Sequence, residues 1–171
     1  KIKFSGFYKI LFYLPAICTS TIVGTVFSKI FETNRGYLNV ILRALHLDFL
    51  CQQWLATPKT ALACLLFVNI WQWTGYSMLM YYTNMLNIPQ DLYESATIDG
   101  AGSFKQFIYI TFPLLRGTHI TLIILDILGA LKFFDLSYVL TDGGPAHATE
   151  TFSTYIYTKS FSTFQQGQAS T

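Results

Sequence analysis

The chain has 171 residues, the size of one domain. Hydrophobic residues make up 52% and charged residues 12%, with mean hydropathy +0.40. Soluble domains carry about 25% charged residues, so the composition argues for a membrane protein. The net charge of +2 is small and unclustered, which argues against nucleic acid as a partner. Cys18, Cys51 and Cys64 show neither metal-ligand spacing nor an evident pairing, and the redox compartment stays open.

Residues 1–9 form a short basic lead. Residues 10–28 carry no charge and are about as long as a helix that crosses a bilayer core. Pro15 and Gly24 within them are tolerated in membrane helices. A secretory signal peptide is the rival reading, but no A-x-A site follows, and bulky Ile17 spoils a lipoprotein site at Cys18. Residues 29–59 are a polar connector. Inside it Leu38, Ile41, Leu42 and Leu45 keep helical spacing, which predicts a short helix on the membrane surface or packed on the protein itself. His46 has no spacing that would make it a metal ligand.

Residues 60–87 are uncharged and long enough to span with tilt. Asn69, Trp73 and Tyr76 recur at i, i+4 and i+7, on one helical face. A polar group at membrane depth faces a bundle or a wet cavity; equally, Asn can bond between helices and Trp and Tyr can anchor at interfaces.

Residues 89–113 are the polar, acidic interval between two oily blocks, with Asp91, Glu94, Asp99, Gly100 and Gly102. Pro89 and Asp91 suit a helix start, and Gly100 suits a stop. Ser103 to Gln106 has the form of a capping box that opens a second helix, which Pro113 ends or kinks. The expectation is two short helices at a glycine elbow. Ser95, Ala96, Gly100, Ala101 and Gly102 are small enough there for another backbone to approach.

Residues 114–140 are apolar but hold Asp126 near their centre. A carboxylate at mid-bilayer costs about 2.5–3.5 kcal/mol on insertion scales. Facing a wet cavity that binds hydroxyls would justify the cost; a salt bridge to another helix would also serve. Helical spacing puts Asp126, Gly129, Ala130 and Phe133 on one face, with room for a ligand. Lys132 and Asp135 are spaced to pair. Asp142-Gly143-Gly144-Pro145 reads as a turn, and 152–171 as a re-entrant or surface segment.

Glu94-Ser95-Ala96, three residues to Gly100, nine more, then Ile110-Thr111-Phe112-Pro113 resembles the EAA cytoplasmic loop of ABC importer permeases. The family pattern is E-A-A, three residues, G, nine residues, I-x-L-P; Ser95 and Phe112 depart from it mildly. Leu86-Asn87-Ile88-Pro89, Thr141-Asp142-Gly143-Gly144-Pro145 and Ala148-Thr149-Glu150-Thr151 extend the resemblance to the carbohydrate-uptake subfamily, over nearly the whole chain.

The resemblance implies an all-α polytopic membrane protein. Three spans (10–28, 60–87 and 114–140) would belong to a five-to-six-helix permease core. The chain does not begin with Met and stops in a polar run, so a longer permease is expected. The loop 88–113 would be cytoplasmic, and 29–59 and 141–171 external. Lys and Arg divide evenly between the two sides, so charge bias does not orient the chain.

It further implies that Glu94, Ser95, Ala96, Asp99, Gly100, Ala101 and Gly102 dock on a separate ABC ATPase. The chain lacks a G-x-x-x-x-G-K-[ST] phosphate loop, so ATP and Mg would sit on that partner and this chain would bind no cofactor. A second, similar permease subunit, an external sugar-binding protein and membrane lipid complete the implied partners. The proposed substrate path combines the aromatics Trp73, Tyr76 and Phe133 with Ser20, Asn69, Asp126 and Gly129, a lining suited to sugars. A phosphorylated polyol is the alternative solute, though an anion should avoid Asp126. An intramembrane enzyme finds no support: there is no H-E-x-x-H or G-x-S-x-G, and His46, His119 and His147 stand apart. A membrane scaffold without transport is the plainest alternative.

Overall fold

The computed structural model describes residues 5–162, Phe164 and Gly167. Residues 1–4 of the basic lead, and 163, 165, 166 and 168–171 of the tail, lie outside the described residues. Every regular element described is helical: α1 Ser5–Ile17, α2 Ser20–Ile30, α3 Tyr37–Ala44, α4 Pro58–Met85, α5 Gln90–Ile98, α6 Ser103–Gln106, α7 Phe112–Leu114, α8 Arg116–Leu131, α9 Asp135–Thr141 and α10 Phe152–Tyr157.

The 28-residue α4 is the axis of the fold. At about 1.5 Å per residue it is longer than a bilayer core is thick. α1 packs along it in the opposite direction: Lys9 Nζ lies 3.5 Å from the centre of the Tyr82 ring, and further along Phe12 meets Gly75. The approach at Gly75 is a backbone contact, because a Cβ there would collide with the Phe12 carbonyl and stand 2.9 Å from Tyr13 Cα. Small residues at such crossings let membrane helices approach closely.

The uncharged run 10–28 is not one helix. It breaks at Cys18–Thr19, where α1 and α2 meet at 94°. The chain turns after Pro15, whose carbonyl accepts from Cys18 N–H at 3.2 Å. Gln72 of α4 holds the break, donating from Nε2 to the Cys18 carbonyl at 3.1 Å and to Ser20 Oγ at 3.4 Å. Nor is 114–140 one helix. α8 ends at Leu131, and α9 starts after a break at 132–134 and packs against α2. Gly24 makes that contact possible, since a Cβ on it would stand 3.1 Å from Val139 Cγ1. Among the described residues no single helix is both long and apolar enough to cross a membrane. Two bent pairs qualify by length and composition: Gly6–Ile17 with Ser20–Ile30, and Ser103–Leu114 with Arg116–Leu131, the latter bent by 63°.

The small core joins Val23, Phe31, Cys64, Val68 and Leu136, with Phe27, Leu38, Trp54 and Phe133 packed on it. Elsewhere the apolar surface faces outward: Ile123, Ile124, Ile127, Leu128 and Leu131 of α8 are all exposed. These five residues share one face of α8, an apolar stripe that calls for a partner helix or lipid.

The short helix expected around 38–45 forms as α3, but its apolar residues divide. Leu38 packs on the core, while Ile41 and Leu45 are exposed. The connector around α3 is fastened by Asn39, which is 2% exposed. Its Nδ2 donates to the carbonyls of Thr33 at 3.0 Å and Gln52 at 3.1 Å, and its Oδ1 accepts from Trp54 Nε1 at 2.8 Å. Removing one partner from such a set leaves buried polar groups unpaired, at about 1–3 kcal/mol. Asn39→Ala should therefore destabilise the detergent-solubilised protein by about 3 kcal/mol, read as a lower denaturation midpoint.

Candidate functional site: a projecting elbow and a cavity-side helix

The interval 89–113 forms the two-helix elbow its composition predicts. α5 ends in a Schellman arrangement: Ala101 N–H donates to the Ala96 carbonyl at 2.8 Å and Gly100 N–H to the Thr97 carbonyl at 3.0 Å. Gly100 has φ +76°, which a side chain resists. Glu94, Ser95, Asp99, Gly100 and Gly102 are exposed, and Ala96 and Ala101 half-buried. The Glu94 and Asp99 carboxylates have no hydrogen-bond or ion-pair partner among the described residues. The elbow thus offers free carboxylates and open backbone on one side.

Its other side is tied down. Tyr93 and Thr111 hydroxyls are 2.8 Å apart, and Gln106 Nε2 donates to the Ala101 carbonyl at 3.1 Å and to Thr97 Oγ1 at 3.0 Å. The expected capping box at Ser103 does not form. Gly102 is the N-cap, with no side chain to offer, and Gln106 spends its amide hydrogens bracing α5 instead of reaching back to the helix start. Pro89 likewise caps α5 instead of occupying its first turn. After α6 the chain makes a π-helical turn at Phe107–Thr111 and the short α7, then bends at Leu115. Pro113 lies just before that bend, as a kink-forming residue should.

The proposed substrate-path residues are only partly gathered. Asn69, Trp73 and Tyr76 share one face of α4, and the Trp73 and Tyr76 rings meet edge-on at 6.2 Å. Ser20, at the start of α2, lies beside Gln72 of α4. Asp126 and Gly129 are exposed on α8; a Cβ on Gly129 would meet nothing within 4 Å, and Asp126 has no partner among the described residues. The salt bridge that would have explained Asp126 is therefore not made within them, and Lys132 and Asp135 do not pair.

Phe133 does not share the Asp126 face. α8 stops at Leu131, closing with Lys132 N–H to the Leu128 carbonyl at 3.2 Å, and Phe133 then folds onto the core. The break displaces it from the helical spacing that joined it to Asp126.

Three polar residues have structural roles that the sequence reading did not assign. Gln72 is 1% exposed, and its Oε1 is buried without a partner. His119 joins α8 to Tyr81 of α4 and to the Phe112 carbonyl. Thr149 is 2% exposed and pins the turn expected at 142–145: its hydroxyl donates to the Gly144 carbonyl at 2.7 Å and lies 2.6 Å from Thr141 Oγ1. Their only sequence signal is a polar residue in or beside an apolar run.

An all-helical chain with an apolar outer surface and a polar elbow defines a membrane component. Residues 4–168 match the family described as "Binding-protein-dependent transport system inner membrane component", and the chain belongs to that family. It is 36% identical over 168 residues to the probable ABC transporter permease protein YurN of Bacillus subtilis, covering 98% of this chain and 58% of that protein. It is 32% identical over 163 residues to the lactose transport system permease protein LacF of Rhizobium radiobacter, covering 94% and 54%. The chain thus spans just over half the length of these relatives. Its fold matches a bacterial alginate ABC transporter, solved in complex with an alginate pentasaccharide-bound periplasmic protein, with a TM-score of 0.86 and 24% identity over 99% of this chain and 59% of that one.

Proposed function

We propose that the chain forms part of the permease subunit of an ATP-driven sugar importer, crossing the cell membrane several times. The elbow carries this reading. Its outward carboxylates have no partners among the described residues, its glycine is held in a left-handed conformation, and its inner side is braced to the bundle. That is the construction of a handle. A separate ATPase would grip it and supply the ATP and Mg chemistry, in keeping with the lack of a G-x-x-x-x-G-K-[ST] phosphate loop in this sequence. Glu94 and Asp99 would form charge-assisted hydrogen bonds in the ATPase groove, and Gly100 would allow close approach. A second permease subunit and an external binding protein would complete the assembly, the latter meeting 29–59 and 141–171.

A sugar is favoured as substrate by the lactose relative and by the lining chemistry. Aromatic faces at Trp73 and Tyr76 suit the apolar faces of pyranose rings, and Asn69, Ser20 and Asp126 suit hydroxyl edges. An unpaired carboxylate at Asp126 disfavours a phosphorylated polyol. In the assembled transporter, Asp126→Ala should reduce sugar uptake about tenfold, the worth of one hydrogen bond to a charged group, and leave assembly intact. Uptake at the parent rate removes Asp126 from the path. Loss of assembly alone makes it half of an ion pair with another helix.

A further inference from the structure

A hydrogen-bonded chain runs from the elbow to α4 through His119. Tyr93 on the inner side of α5 holds Thr111 in the π-helical turn, with hydroxyl oxygens 2.8 Å apart. The next residue, Phe112, presents its carbonyl to His119 Nε2 at 3.1 Å, across the bend. A helix end at a bend leaves carbonyls in need of donors, and here an imidazole supplies one. The other ring nitrogen, Nδ1, lies 2.8 Å from the Tyr81 hydroxyl on α4.

A carbonyl only accepts, so Nε2 carries the hydrogen; in the neutral ring Nδ1 then accepts from the Tyr81 O–H. Both nitrogens are used, which fixes the tautomer and the ring orientation. The Phe112 ring lies over the imidazole at 4.6 Å and blocks rotation on one side. Next to this joint is a cleft of about 410 Å³ lined by Asn84, Pro89, Leu114 and Thr118, among others, which leaves space for the elbow to swing against α4.

We propose that His119 is a positioning residue for transport, the joint through which movement of the ATPase-gripped elbow is delivered to α4. The proposal rests on the docking role of the elbow given above. Three rigid pieces meet at this ring: the braced elbow, α8 and α4. Coupling between distant sites needs a contiguous physical link with two arrangements, and the bend at Leu115 beside an open cleft supplies the mobile point.

The test is the number of ATP molecules hydrolysed per sugar imported by the full transporter in liposomes. Tyr81→Phe removes one hydroxyl and keeps every ring in place, so it is the variant least able to disturb folding. His119→Ala removes the joint. His119→Gln restores it, because its amide can donate to the Phe112 carbonyl and accept from Tyr81. Tyr81→Phe and His119→Ala should raise ATP spent per sugar by about 2–30-fold, the range of couplings carried by single residues. The double variant should match His119→Ala, since both remove one link, and His119→Gln should stay within about twofold of the parent. A parent ratio in Tyr81→Phe, or His119→Gln no better than His119→Ala, overturns the proposal. Failure of the docking role reads differently: Glu94→Lys would then keep full ATPase stimulation, whereas the joint variants keep hydrolysis and waste it.

Discussion

Glu94→Lys in the assembled transporter should reduce sugar-stimulated ATP hydrolysis to the unstimulated level. The carboxylate has no partner among the described residues, so nothing internal to them is lost. What changes is the surface proposed to meet an ATPase, where an ammonium would be buried opposite groups arranged for an acid. Breaking a desolvated charge pair costs about 3–5 kcal/mol, a several-hundred-fold weakening at a single contact. Gly100→Asp should act similarly for a separable reason. Among the described residues a Cβ at position 100 meets nothing within 4 Å, and the φ of +76° adds strain of about 1–2 kcal/mol. Such a variant folds, but its carboxylate projects into the space the partner's backbone needs. Full stimulation in both variants would remove the elbow from coupling.

The second large effect concerns packing. Gly75→Val should separate α1 from α4, because its side chain would occupy the position of the Phe12 carbonyl. Overpacking of this kind costs about 3 kcal/mol when backbone cannot yield, and here the obstacle is backbone. Thermal unfolding of the detergent-purified protein should show a lower midpoint and poor recovery. Gly129→Ala is the internal control: its Cβ meets nothing within 4 Å among the described residues, so stability should stay within about 0.5 kcal/mol. A Gly75→Val protein as stable as the parent would refute the α1–α4 crossing.

The elbow was legible because its determinants are local. A proline and an acid begin α5, a glycine ends it, and the turn chemistry spans four residues. The continuous α4 was legible for the same reason, as the uncharged run 60–87 with no proline inside the helix after Pro58. The break at Cys18–Thr19 was not, because no glycine or proline stands at the break itself. It is fastened by Gln72, more than fifty residues away, and composition carries no record of such a contact. Separation in sequence also hid Asn39 with Trp54, 15 residues apart, and His119 with Tyr81, 38 apart. Helical spacing misled at Phe133, because a period says which residues share a face and nothing of where the helix ends. The capping box failed for a related reason: Ser103 and Gln106 have the right identities, but Gln106 found better acceptors across the elbow at Ala101 and Thr97.

Position 95, on the exposed outer side of the elbow, gives the most direct test of the whole account. With Cys18, Cys51, Cys64 and every cysteine elsewhere in the permease replaced by Ala, a Ser95→Cys permease in intact cells can be cross-linked through the introduced thiol and the product identified by mass spectrometry. The account predicts a covalent product with a nucleotide-hydrolysing subunit, and no labelling by reagents confined outside the cell. Labelling from outside, or a position 95 that never reaches an ATPase, would contradict it.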